Sequence, residues 1–250
     1  MNFFFVLNGK ALKNVSLLLI AAFFTAWFLY MENIAQIPVF SAKDSTKAIY
    51  RGERDIALTF NIGWGDEKAE PILDTLKKEN VKSATFFLAG SWAERHPDIV
   101  SRIVKEGYEI GMLGYEYVDY SDLDDAKIAK DISKAQEAFT KLNVKSIKLL
   151  RAPTGHFDER TLKIAKRYGY TVVHWKIDSK DWQNPGVKNI VENVGRAKKG
   201  DIVLLHASDS AKQTANALPL ILEDIRNKGL KLVSVSEMIA NGDVSSKEIK

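Results

Sequence analysis

The sequence predicts an α/β fold, a (β/α)7 barrel, and three observations carry that prediction. Apolar runs and helix-like stretches alternate about seven times over the last three quarters of the chain, the signature of βαβ units. The strand-like runs are apolar on both faces, as in the central strands of a parallel sheet covered by helices. Several of those runs end abruptly in a polar residue (Asn61, Arg151, Asp178, His206), as expected where strands deliver side chains to the C-terminal edge of a barrel. A doubly wound open sheet is the alternative architecture.

Residues 1–36 differ from the rest. Lys10 and Lys13 precede Val15–Met31, VSLLLIAAFFTAWFLYM, an uncharged stretch at the short end of a membrane span. Trp27 and Tyr30 lie near its far end, where interfacial aromatics gather, and the lysines predict the N-terminus inside and the main domain outside the cell membrane. A cleaved signal peptide is the rival reading, but no A-x-A site follows the apolar stretch. Residues 37–46 read as a tether containing Pro38, residues 47–241 as the barrel and 242–250 as a polar tail.

Within the barrel the expected strands are Ile56–Asn61, Ala84–Ala89, Tyr108–Leu113, Ile147–Arg151, Thr171–Asp178, Asp201–His206 and Leu230–Val235. Helices are expected over Lys68–Glu79, Asp98–Glu106, Asp124–Leu142, Asp158–Tyr168 and Thr214–Lys228. In the third of these, Ile128, Ile132, Ala135, Ala138, Phe139 and Leu142 recur at helical spacing, with Asp122 or Asp124 as N-cap. Gly107, Gly169 and Gly229 stand where three helices should stop.

Composition narrows the function. Thirty-six Lys+Arg against 32 Asp+Glu give a net charge of +4, and no dense basic run favours a nucleic-acid partner. The chain has no Cys, which removes disulfides, thiolate nucleophiles and Cys-ligated metals. His96, His156, His174 and His206 fall in no H-x3-H or H-E-x-x-H pattern, so spacing supports no metal site. Serine-nucleophile and phosphate-cradling motifs are absent.

What remains is the set of strand ends. His206 closes IVLLHAS and is either a structural histidine or a general acid. Asp178 opens DSKDW, and an aspartate beside an imidazole favours its protonated form. Asp181, in the same loop, reads equally well as a turn cap. Arg151 precedes a tight loop shaped by Pro153 and Gly155 and can orient a carboxylate or one edge of a substrate. Asn61, in ALTFNIGWG, places an amide where hydrolysis would want a carboxylate.

Taken in order, ALTFNIGWG, ATFFL, GYEIGMLGYEY, LLRAPTG, DSKDW and IVLLHAS resemble the NodB-homology polysaccharide deacetylases of carbohydrate esterase family four. WAERHPD, HASDSAKQT and the N-terminal apolar stretch resemble its sporulation-associated, PdaB-like branch. The resemblance implies a (β/α)7 barrel that removes N-acetyl groups from amino sugars of peptidoglycan or chitin, with a divalent metal such as zinc. It implies Arg151, Asp178 and His206 as catalytic residues, His206 being the acid. Trp64, Trp182, Asp181, Pro153 and Gly155 would contact substrate. It also implies losses: the base aspartate falls on Asn61, and the three metal ligands fall on Ile62, Leu113 and Tyr117. No cofactor is therefore expected. Two functions stay open: an amide hydrolase of cell-wall amino sugars with an altered mechanism, and an inactive glycan-binding protein of the spore envelope.

Overall fold

In the computed structural model the described residues are 19–20, 22–25, 47–241 and 245–247. The chain divides into two units, Met1–Asp44 and Ser45–Lys250. Residues 19–20 and 22–25 of the first unit are helical. The rest of the expected membrane span, and the whole tether 37–46, lie outside the described residues. Among the described residues no helix is long and apolar enough to cross a membrane.

The second unit is built on parallel strands with helices outside. Strand β1 (Ala48–Arg51) leads into β2 (Ala57–Ile62), β3 (Thr85–Leu88), β4 (Glu109–Met112), β5 (Leu149–Leu150), β6 (Thr171–Val172), β7 (Ile177–Asp178) and β8 (Ile202–His206). Seven of these form one sheet in the order β6-β5-β4-β3-β2-β8-β7, and every pair in it is parallel. The sheet curls into a half-barrel whose edges are β6 and β7. Strand β1 lies by that opening: Ile49 bridges Val173 in parallel and Arg51 bridges Asp201 in antiparallel sense. Strand β9 (Ser245–Lys247) pairs antiparallel with β1.

Two expected strands differ. Thr171–Asp178 is two short strands, because the backbone changes partners along it. Val173 N–H bonds to Leu150, His174 N–H to Ile49, and Lys176 N–H to Ile202, so the chain passes from β5 to β1 to β8. Leu230–Val235 contributes a single bridge, Leu232 to Ile56. Its extension is cut short where Ser234 and Glu237 form a reciprocal capping box at the start of a helix.

The helices are α1 (Ala69–Lys78), α2 (Gly90–Arg95), α3 (Pro97–Lys105), α4 (Asp125–Lys141), α5 (Glu159–Arg167), α6 (Val187–Val194), α7 (Thr214–Asn227) and α8 (Val235–Ala240). Asp124 caps α4 by accepting from Lys127 N–H. Gly107, Gly169 and Gly229 follow α3, α5 and α7 with φ of 82°, 79° and 64°, a region that costs glycine nothing.

Strand alternation separates two cores. Leu58, Phe60, Ile62, Val203 and Leu205 pack with the helices, among them Ile72, Leu73 and Leu76 of α1. Ala57, Phe87, Leu113, Leu149, Val173 and Ile202 form a smaller cluster on the inner face. The polar strand ends share that inner face.

Candidate functional site

The register of β2 and β8 sets Asn61 and His206 directly side by side on neighbouring strands. Both are nearly covered, at 2% and 8% exposure. Arg151, just past β5, reaches across the inner face and is wholly buried. Its Nη1 donates to Asn61 Oδ1 and to Thr59 Oγ1, both at 2.9 Å. Its Nη2 donates to the His174 carbonyl at 3.1 Å and its Nε to the Val173 carbonyl at 3.3 Å. The Phe87 ring lies 4.0 Å beneath the guanidinium carbon. Every partner is neutral. Burial accordingly pushes the Arg151 guanidinium down to about 9.

His206 is held by Asp181. Its Nδ1 lies 2.8 Å from Asp181 Oδ1, and its backbone N–H donates to Asp181 Oδ2 at 2.7 Å. Thr214 Oγ1 and Trp182 N–H complete the carboxylate's partners at 2.7 and 2.8 Å. With Nδ1 engaged, Nε2 is the nitrogen left to meet a ligand. Of the two aspartates in this loop only Asp181 meets the imidazole; Asp178 accepts from Lys180 N–H at 2.8 Å. The physical reason is local. Lys180 adopts φ of 57°, and this left-handed turn swings Asp181, not Asp178, under His206.

Aromatic side chains rim these strand ends. Trp64 and Trp182 stay 48% and 46% exposed although each neighbours a buried residue, and Tyr117 is partly exposed. The Tyr117 ring lies against Gly63, where a Cβ would come within 2.4 Å of it, so a side chain there would displace the ring. Partial burial raises the Tyr117 hydroxyl above the ordinary tyrosine range. Gly155, at φ of 85°, lets the Arg151 loop pass against Trp175, and Pro153 packs near Gly114.

Three anchoring residues escaped the sequence reading. Asp209 accepts from the N–H groups of Asp66, Glu67 and Lys68 and so fixes the loop that carries Trp64. Asp131 accepts from Tyr115 N–H, Glu116 N–H and the Tyr120 hydroxyl, fixing the loop that carries Tyr117. Thr214 fixes Asp181. Asp131 did leave a signal, since it lies on the buried stripe of α4 between Ile128 and Ala135. The other histidines take structural positions. His96 stacks on Trp92 and contacts Asp66, and His156 contacts Asp119. His174 packs among Tyr50, Phe157 and Trp175, where burial, Arg151 and His156 push it down to about 3.

Residues 49–173 match the family described as polysaccharide deacetylase. A peptidoglycan-N-acetylglucosamine deacetylase of Bacillus cereus is 37% identical over 198 residues, which cover 78% of this chain and 92% of that protein. The chain belongs to the polysaccharide deacetylase family. Two solved structures are similar in different directions. A crystal structure of a peptidoglycan N-acetylglucosamine deacetylase in complex with a hydroxamate-type benzamide is 30% identical, with a TM-score of 0.74, covering 80% of this chain and 96% of that one. A family-four pseudoenzyme of Bacillus anthracis is 28% identical, with a TM-score of 0.73, covering 78% of this chain and 70% of that one.

The deacetylase family implies a divalent metal, and the residues here do not fit one. Ile62 is buried in the helix-side core and Leu113 in the inner apolar cluster, so neither offers a donor atom. Tyr117 leaves a single phenol, which lies against Gly63. No group of three or more His, Asp or Glu able to hold a metal occurs among the described residues.

Proposed function

We propose that this deacetylase-family protein binds N-acetylated amino-sugar polymers of the peptidoglycan type without the family's metal-dependent hydrolysis. The observation that carries this reading is the bond from Arg151 Nη1 to Asn61 Oδ1 at 2.9 Å. At the position of the general base stands a neutral amide already committed to a buried guanidinium. A metal normally lowers the pKa of bound water from about 15.7 to about 7, and a general base adds roughly 10²–10⁴-fold. Both contributions are missing at these positions, while exposed aromatic side chains remain at the rim. Trp64 and Trp182 offer exposed aromatic faces suited to pyranose rings, and His206 and Asn61 offer polar edges to an N-acetyl group.

One observation favours a second reading. The His206–Asp181 contact at 2.8 Å fixes the imidazole with Nε2 free, the orientation that a metal-independent amide hydrolase would need at a leaving nitrogen. The biological setting proposed is outside the cell membrane, in cell-wall or spore-envelope maturation. The Val15–Met31 stretch would serve as anchor. Protease accessibility of the 45–250 unit on intact cells checks that placement.

The two readings part on one experiment. Residues 45–250 carry both cores and are tested as a unit. Acetate release and binding are measured on N-acetylglucosamine oligomers and spore-cortex glycan, with zinc, with chelator, and for His206→Ala. The expected result is binding without release, weakened roughly tenfold in Trp64→Ala or Trp182→Ala. Chelator-resistant release abolished by His206→Ala would establish the hydrolase instead. Zinc-dependent release would refute the loss of the metal site.

A further inference from the structure

In this fold each helix returns antiparallel to the strands, so helix C-termini gather at the edge of the sheet opposite the candidate site. Charge follows that polarity. First turns carry Glu70, Asp98, Asp125 and Glu159, whereas last turns carry Lys77, Lys78, Lys105, Lys141, Lys166 and Arg167. Complementing the helix dipole accounts for this much. It does not account for the loops. Arg196, Lys198 and Lys199, between α6 and β8, are exposed, and their side chains make no ion pair with a carboxylate among the described residues. They border an open groove of about 720 Å³ whose apolar lining is Ala197 and Leu230. Lys228 also lines it but is matched by Asp224 at 2.6 Å. Of the carboxylates nearby, Asp201 is buried and held by Lys198 N–H and Arg51, and Glu53 and Asp55 lie on the turn between β1 and β2.

We propose that this groove is a docking surface for anionic phospholipid headgroups. Three unmatched cations around a shallow, open groove, with half-buried Leu230 as its apolar contact, suit a layer of phosphate headgroups. The groove lies at the start of β8 and His206 at its end, about 13 Å apart at strand rise. A domain resting on this face therefore turns its glycan site away from the membrane. That last clause rests on the glycan-binding reading, and the choice of a lipid occupant rests on the anchor proposed above; the charge of the groove rests on neither. A lipid surface is favoured over a soluble phosphate polymer by the chain itself. Residues 37–46 reach at most about 35 Å, so an anchored domain meets headgroups at high effective concentration.

The test uses the 45–250 unit and sedimentation with vesicles of phosphatidylcholine alone or mixed with phosphatidylglycerol. Binding is expected only to the mixed vesicles. Each cation near such a surface contributes roughly fivefold, so the triple variant R196Q/K198Q/K199Q should bind about 100-fold more weakly. Salt at about 1 M should abolish binding, since the screening length falls to about 3 Å. In the fold Lys198 and Lys199 use backbone groups, so the variant should melt as the parent does, and K198R/K199R should bind as the parent does. Binding to N-acetylglucosamine oligomers, measured alongside, should be unchanged in every variant; its absence would sink the glycan reading and leave the docking intact. Equal binding to neutral vesicles, or undiminished binding by the triple variant, would overturn the proposal. So would capture by soluble poly(glycerol phosphate) with none by vesicles.

Discussion

Replacing Asn61 by aspartate should stabilise this protein, the reverse of what burying a new carboxylate usually does. Arg151 is fully buried and touches only neutral groups. The fall from 12.5 to about 9 corresponds to roughly 5 kcal/mol of unfavourable burial for a cation without a counter-charge. An arginine keeps its proton under these conditions, so that figure is read as stress on the folded state. Asn61→Asp preserves the side-chain shape and puts a carboxylate oxygen where Oδ1 now sits, 2.9 Å from Nη1. Part of the gain is offset because the carboxylate must itself be desolvated. A net gain of about 1–3 kcal/mol remains, or roughly 3–10 °C in Tm for a unit of this size. Differential scanning calorimetry of both forms from pH 3 to pH 8 reads it. The sign with pH follows from the pairing. Arg151 depresses the introduced carboxyl's pKa in the folded state, so the gain is complete above the unfolded value of about 3.9 and shrinks as pH falls below it. An unchanged or lower Tm at pH 7, or a gain that persists undiminished at pH 3, would refute the reasoning. Asn61→Asp alone should still release no acetate with zinc, because Ile62 and Leu113 still offer no donor atom.

Other substitutions separate structural from functional carboxylates. Ile62→Asp should cost about 3–5 kcal/mol in urea denaturation, because that side chain packs in the helix-side core and not beside His206. Asp181→Ala strands four donors and should cost about 3–5 kcal/mol, whereas Asp178→Ala, on the rim, should stay within about 1 kcal/mol; equal costs would contradict the assignment of the His206 partner. Asp209 is desolvated, which by itself would raise its pKa, but the N–H groups of Asp66, Glu67 and Lys68 outweigh this and lower it. Its contribution is therefore present above about pH 3.9 and lost as pH falls through the lower folded value. Asp209→Ala should flatten the acid limb of a melting-temperature profile and loosen the Trp64 loop, seen as a shifted tryptophan emission.

Fold class and most elements were legible because they are set by short-range pattern. Helical spacing of Ile128, Ile132 and Ala135, caps such as Asp124, and glycines 107, 169 and 229 each act within a few residues of themselves. The two strands that differed failed for a nonlocal reason. An apolar run does not reveal that Val173, His174 and Lys176 will bond to three different strands, nor that Ser234 will start a helix. The strand-end positions of Asn61 and His206 were legible from alternation, because side chains two residues apart share a face of the strand.

By itself the sequence determined the family, the parallel α/β layering and the inner face on which Asn61 and His206 lie, since periodicity and side-chain chemistry are properties of the chain. Tertiary structure alone decided which aspartate serves His206. Asp178 and Asp181 are three residues apart and chemically alike, and only the left-handed turn at Lys180 and the approach of Thr214 from α7 choose between them. The same holds for Arg151, whose isolation from any negative charge depends on Thr59, Asn61, Val173 and His174 converging from separate strands and loops.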